Sequence, residues 1–578
     1  MREERMRVIL VTLATCAFVT CIAGCGTGGG SAPPQPKPQV SSTATVSSPT
    51  PTSTPVAITA SSFNDWTTYG FDNARSGFNP NSKAITPSSL TSLHLAWQTA
   101  VPDYRTQTQP ILAANVGGRA GTLIVGGARG TIYAYDALSG KPIWAKSVGA
   151  ATYMCSGGAP TLAGIGGTAA YDPSSRSVYI ASNSNTGLNA PTQVLINKLS
   201  ALDGSLLASV NIAPSPLPGE INFTHTSVTL ANGSLYAGTG STCDLSSWRG
   251  RVAAVNAGTM TLGNTFFTAW NQAQGLDSAA APLSGGGIWS WGGVSVDRAG
   301  NLWAATGNVD TKPGPSGPQP PFAQDAGNEF DAFGEHVLQL TPTVSSVLQS
   351  NYPGFTFYDK QSVDLDLSGT PVLGQPLGCH EMVAVSGKSG FLYLYDTTNI
   401  TGGPSNRFKF TSSSYNDPNL GNPAFSPITG LFYAAVASGV TGGVTAAPGM
   451  VAIQSCNSTS SVAWNTAFGP DSITSGTPRS MPTVTAGGVV FVGTPCKRDV
   501  AGGCNGTGSF GGALWALDAS SGALLNGGKP IITTPKDIRM GAVVDGNWVF
   551  VFDNYGSLYG LTIDPNILTI PNGFSQIR

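Results

Sequence analysis

The side chains able to do chemistry are few and widely spaced. Four histidines, His94, His225, His336 and His380, stand in 578 residues. No two of them fall at HExxH, paired Cys/His zinc or CxxCH haem-attachment spacing. His225 and the pair His380-Glu381 sit in or beside apolar strand patterns, which suits hydrogen-bonded structural histidines. Asp310 precedes, and Asp325 lies within, a Pro/Gly-rich stretch at 313–333, where carboxylate oxygens suit a hard cation. Beyond Cys25 six cysteines remain: Cys155, Cys243, Cys379, Cys456, Cys496 and Cys504. An even number in an exported chain permits three disulfides. Cys496 and Cys504 share one Gly-rich loop, CKRDVAGGC, and form the expected local bridge. A net charge of −2 and a pI of about 6.1 give no electrostatic case for nucleic acid.

These groups must be held by a scaffold, and the sequence repeats one. GTIYAYDALSGKPIW (130–144) reads as two short strands around a turn. Ile132 and Ala134 alternate with tyrosines, Asp136 accepts turn amides, Gly140 supplies a positive φ, and Trp144 offers a large apolar face. Echoes follow at GFLYLYDTTN (390–399) and GALWALDASSG (512–522), with weaker ones at 251–259 and 556–564. Asp136 and Asp396 are separated by four spacings of about 65 residues. A repeat of that length, turn-rich and only 10% charged, predicts an all-β propeller in which each unit buries its apolar face against the next. Residues 63–578 divide into eight such units. The last is short of an outer strand and the segment Trp66–Trp97 is spare, so the N-terminal segment is expected to complete the last blade of an eight-bladed β-propeller of four-stranded antiparallel blades. Insertions at 313–333 and 495–512 are where binding loops are expected.

The first 62 residues are a different kind of chain. Arg2, Arg5 and Arg7 precede an apolar run at 8–24, the pattern of an export signal. Ile22-Ala23-Gly24-Cys25 resembles a bacterial lipobox, which implies cleavage after residue 24 and lipidation of Cys25. Gly26, where an inner-membrane retention aspartate is absent, implies the outer membrane in a cell that has one. Residues 25–62 are rich in Pro, Ser, Thr and Gly and form the expected tether between membrane and propeller.

DWTTYGFDNARSGFNPNSKAITPSSLTSLHLAW (65–97) resembles the opening of pyrroloquinoline quinone (PQQ) dehydrogenases and related propellers, and YAYDALSGKPIW resembles their repeat. The resemblance spans essentially all of 63–564. Its repeats also occur in non-catalytic relatives such as the outer-membrane assembly lipoprotein. Three further segments are similar to site segments of the dehydrogenases. GSLYAGTGSTCDLSSWRGRVAAVNAGT (233–259) implies Asp244 as an acidic calcium ligand. GGGIWSWGGVSVDRAGNLWAATGN (285–308) implies Trp291 as the quinone-stacking indole and Asn308 as an amide calcium ligand. GKSGFLYLYD (387–396) implies Lys388 as the cation touching the quinone oxygens. The family's base is expected in AGNEFDAFGE, with Asp331 the candidate and Asn328 and Glu329 in the same stretch. The paired cysteines that cover the quinone in several relatives are reduced here to Cys155.

The chemistry suits these types. An indole face stacks on a flat, electron-poor ring. Calcium takes carboxylate and amide oxygens and acts as a Lewis acid. A lysine stabilises charge on a reduced oxygen, and a carboxylate removes an alcohol proton. The resemblance therefore implies a PQQ- and calcium-dependent alcohol or sugar dehydrogenase, lipid-anchored in the envelope. With no haem motif, it would pass electrons to a separate acceptor. The alternative is a non-catalytic envelope propeller that binds protein or saccharide partners.

Overall fold

In the computed structural model the described residues are 62–567, apart from 104–107, 156, 215–219, 244–247, 270–283, 308, 311–332, 354–365, 389, 411–421, 437–438, 442–443, 447–448, 469–479, 495–511 and 555. They form eight sheets of four antiparallel strands each, one of them with an extra parallel strand at its inner edge, and three two-stranded sheets. Blade 1 is Ile111–Ala114, Gly121–Gly126, Thr131–Asp136 and Pro142–Ser147, in that order from the inside outward. The innermost strands of blades 2 to 8 are Ala170–Asp172, Thr229–Ala231, Ser295–Val296, Val372–Gly374, Ala424–Ser426, Thr483–Thr485 and Val543–Asp545. The apolar runs that mark the blades in the sequence are the two middle strands, as in Gly121–Gly126 and Thr131–Asp136. Middle strands are covered on both faces and so read as continuous apolar stretches.

The last blade closes as expected. Its outer strand is His94–Ala100, paired antiparallel with Ser557–Thr562. Neighbouring blades are keyed by the repeated hairpin. Asp136 Oδ1 accepts from Ser139 N–H and Oγ–H, at 2.9 and 2.7 Å, which brings Gly140 round at φ +67°. Trp97 of blade 8 then lies on that glycine and donates to Ala137 O at 3.1 Å. Trp144 of blade 1 does the same to Gly204 and Ala201 O, and Trp464 of blade 6 to Gly522 and Ala519 O. A Cβ on any of these three glycines would stand 2.5 Å from indole carbon. The glycine thus serves both the left-handed turn and the ring that covers it.

A collar of hydrogen bonds runs round the inside, just ahead of the innermost strands. Gln109 N–H donates to Thr168 Oγ1, and Thr168 N–H donates to Ser227 Oγ, each link spanning 59 residues. Ser227 N–H and Oγ–H donate to Trp291 O, Gly292 N–H to Thr370 Oγ1, and Thr370 N–H to Asn422 Oδ1. Thr483 Oγ1–H donates to Ala542 O across another 59 residues, and Gln109 Nε2–H returns to Gly541 O. The regular repeat is therefore shorter than the spacing of about 65 inferred from the aspartates, which averages in the insertions of the middle blades.

The family-like opening segment has a second task. Only its end, His94–Ala100, completes a blade. Residues 64–79 instead run past the innermost strands of all eight blades. Trp66 exchanges backbone bonds with Leu112, Thr67 O accepts from Tyr171, and Asn73 Nδ2–H donates to Leu230 O. Asn73 O, Ala74 O, Ser76 O and Gly77 O accept from Val296, Leu373, Phe425 and Val484. Asn79 Nδ2–H donates to Val544 O. Arg75 is 0% exposed at the centre. It donates to Thr68 Oγ1, Tyr69 O, Thr229 Oγ1 and Val294 O. Burial lowers its pKa to about 10, with Asp72 opposing.

Candidate functional site

The residues that converge on a site come from the loops leading into blades 3, 4 and 5, two to four positions ahead of the collar. In blade 5 the leading segment is Asp366–Pro371. Its Thr370 belongs to the collar. Asp366, 4% exposed at its side chain, accepts from Lys388 Nζ at 2.6 Å. Lys388 lies in the Gly387–Gly390 turn between the middle strands of the same blade. Its own N–H donates to Asp366 O at 2.9 Å, so side chain and backbone hold one segment.

Blade 4 contributes two tryptophans. Trp289 packs edge-on to Trp248, centroids 5.3 Å apart, and lies 6.0 Å from the His225 ring. A Cβ on Gly307 would collide with both Trp289 Nε1 and Asp366 Oδ1. The indole N–H and the carboxylate therefore meet over a glycine that must stay bare. Trp289 Nε1 is buried and has no hydrogen-bond partner among the described residues. Trp291 has its carbonyl in the collar, and its side chain packs against the cluster that includes Tyr69, Met481 and Met540.

Blade 3 supplies His225, whose Nε2 faces Ser241 O at 3.0 Å and Thr242 Oγ1 at 3.3 Å. Burial lowers its pKa, which keeps the ring neutral, although the bond to Ser241 opposes the shift. The next residue, Cys243, forms a disulfide with Cys155 of the loop leading into blade 2. A second disulfide, Cys379–Cys456, joins blades 5 and 6 at the rim. There His380, which the sequence places beside an apolar strand, is exposed and paired with Asp396 at 2.7 Å.

A second buried charge cluster stands behind blade 3. Glu220, 1% exposed, binds Arg249 and Arg251 at 2.6 and 3.1 Å. Burial would raise its pKa, but the two guanidiniums and Asn222 bring it below the usual value.

Of the site residues expected from the sequence, Lys388 and the neighbour of Trp291, Gly292, both bind the 366–371 segment, while the Trp291 side chain itself packs against the Tyr69–Met481 cluster. Gly292 binds Thr370 and Lys388 binds Asp366. Asp244, Asn308, Asp331 and Cys25 lie outside the described residues, as do the Cys496–Cys504 pair and almost all of the two insertion loops. Cys155, whose partner the sequence leaves open, is bonded across to blade 3. Sequence reasoning missed Asp366 and Trp289. Their signal was positional: each precedes a collar residue, Thr370 or Trp291, by a few positions, and the collar spacing is visible only once the 59-residue links are known.

Among the described residues no group of three or more His, Cys, Asp or Glu could hold a metal ion. No protein-family model matches the sequence, and no curated protein does. Solved structures do match. The quinohemoprotein alcohol dehydrogenase of Comamonas testosteroni is 15% identical, with a TM-score of 0.57 over 86% of this chain and 80% of that one. The quinohemoprotein alcohol dehydrogenase ADHIIG of Pseudomonas putida HK5 gives 15% identity and 0.58 over the same shares. A europium-containing methanol dehydrogenase gives 15% and 0.56, over 86% of this chain and 98% of that one. The chain thus has the eight-bladed propeller fold of these dehydrogenases.

Proposed function

We propose that this chain is an envelope quinoprotein that oxidises an alcohol or sugar with PQQ and a hard cation, calcium or a relative, held in its channel. The observation that carries the proposal is the Asp366–Lys388 ion pair beside the Trp289 N–H, which has no partner among the described residues, on the segment that also binds Gly292 next to Trp291. Donor, cation, carboxylate and indole are the types a quinone and an alcohol require, so the described residues fit those two, while the proposed cation ligands lie outside them. Bound there, the quinone would supply the two-electron acceptor that no side chain provides. Trp291 would offer its face to the ring, and Lys388 would donate to a quinone oxygen. Asp366 would accept the alcohol proton through its carboxylate. The neutral His225 and the Trp248–Trp289 pair would keep water from that carboxylate. Asp244 and Asn308 remain the proposed cation ligands and Asp331 the rival base.

The two disulfides support an oxidising compartment, in line with export and lipidation at Cys25. A separate electron acceptor and an envelope protein partner belong to the same proposal.

Apo-protein would be titrated with PQQ and calcium, following melting temperature, quinone absorbance and dye-coupled alcohol oxidation. Saturable binding that weakens about tenfold in Trp291→Ala, and turnover that falls about 10²–10⁴-fold in Asp366→Asn, are expected. Asp331→Asn silencing turnover while Asp366→Asn spares it would move the base. No quinone uptake and no stabilisation would leave the scaffold reading instead.

A further inference from the structure

The segment 64–79 does more than brace the inner strands. Between it and blades 2 and 3, beyond the collar from the Asp366 site, lies a cavity of about 400 Å³ lined by Asp65, Phe71, Asp72, Asn73, Tyr171 and Leu230 among others. We propose that this cavity is a second small-molecule site, for an organic cation: an ammonium or guanidinium group on a short apolar stem.

The walls differ in what they leave open. Asp72 is satisfied within the protein: its two oxygens accept from Ser76 N–H and Oγ–H, and Arg75 lies beside it. Asp65 is not. One oxygen accepts from Ala114 N–H at 2.7 Å, and the other has no partner among the described residues. The charges around it are mostly of its own sign. Asp545 lies on one side, and Asp172 flanks Tyr171 on the other, with Arg176 the cation nearest that tyrosine. Burial raises the Asp65 pKa against the pull of the Ala114 amide, as expected of a carboxylate with no cation at hand.

Tyr171 is the second observation. It is 3% exposed, lines the cavity, and its hydroxyl has no hydrogen-bond partner among the described residues. That hydroxyl is not sealed off, so it can meet a group that enters the cavity. Phe71 adds a third. A phenylalanine at φ +76° is in a region that bulky residues avoid, yet it is fixed there edge-on to Trp66 at 5.2 Å. Two aromatic rings, an apolar leucine and one uncompensated carboxylate form a pocket suited to an alkyl cation. The volume matches small-molecule sites.

The test is calorimetric titration of the full mature chain, without quinone, using n-butylammonium and its neutral analogue n-butanol. Saturable binding of the cation alone is expected, weakened at least about tenfold in Asp65→Asn and by a smaller factor in Tyr171→Phe. Melting curves check that each variant folds; if Asp65→Asn does not, Tyr171→Phe carries the comparison. Equal binding of n-butanol, wild-type affinity in the variants, competition by calcium at equal concentration, or no saturable heat up to about 10 mM would overturn the assignment.

Discussion

On one side of the collar, residues 64–79 bind the inner strand of every blade and place a buried arginine on the axis. On the other side, the loops leading into blades 3 to 5 bring a carboxylate, an ammonium, a histidine and two indoles to one place. There a buried N–H is left without a described partner. Both regions are repeats of the same blade start, and they diverge by what is added. The N-terminal segment supplies hydrogen-bond partners to the first, so its polar atoms are largely used up by the fold. Among the described residues no such segment covers the second, where polar groups meet one another. Substitutions should therefore be felt as lost stability on one side and as lost ligand chemistry on the other.

The largest effect is expected at Arg75. Replacing it with alanine leaves Asp72 without its cation and strands several buried acceptors, at a cost of about 3–5 kcal/mol in chemical denaturation. Quinone affinity in the fraction that folds should not change. A variant as stable as wild type would show that the segment decorates the ring instead of closing it. Next is the Cys155–Cys243 bridge, whose loss through the double serine variant should cost about 2–4 kcal/mol. It reaches toward His225, so both readouts should move, which makes it the test of how sharply the two sides divide. Gly204→Ala places a methyl where Trp144 lies and at φ +71°, and about 1–3 kcal/mol is expected. That loss belongs to the blade 1–2 interface and should leave both sides of the collar untouched.

Asp366→Asn inverts the pattern. Lys388 is 24% exposed and water can solvate it, so melting should shift little while alcohol oxidation is lost. The smallest effect is the pH dependence set by His225. Its folded pKa lies below the unfolded value near 6.5, so the unfolded chain takes up a proton that the native chain refuses as pH falls. Stability is therefore lost on acidification from pH 7 to pH 5, and the slope should flatten in His225→Gln. An unchanged slope would place the acid sensitivity elsewhere, with Glu220 the next residue to vary.

Much of the ring was legible because its signals are local. The Asp136–Gly140 turn and the apolar middle strands announce themselves within a few residues, through alternation, turn chemistry and a positive φ, and counting blades leaves the segment Trp66–Trp97 spare to close the last one. Lys388 could be placed in a turn for the same reason. The site was less legible. Asp366 sits in VDLDLSGTP, where nothing local separates a solvated aspartate from one that faces Lys388 across a blade. Trp289 and Trp291 are two residues apart, and only packing assigns one to the Gly307–Asp366 corner and the other to the Tyr69–Met481 cluster. The partner of Cys155 could not be named because it is 88 residues away.

By itself, then, the sequence determined the number of blades, the antiparallel sheets and the chain end that closes them, since strand periodicity and turn chemistry act over neighbouring residues. Tertiary structure decided which residues of different blades meet at one site. It also gave the segment 64–79 its role as a brace touching every blade. Those contacts join positions up to hundreds of residues apart, as Asn79 and Val544 are, and depend on the angle at which each blade meets the next. That angle is set by packing such as Trp144 on Gly204, which no stretch of sequence read alone contains.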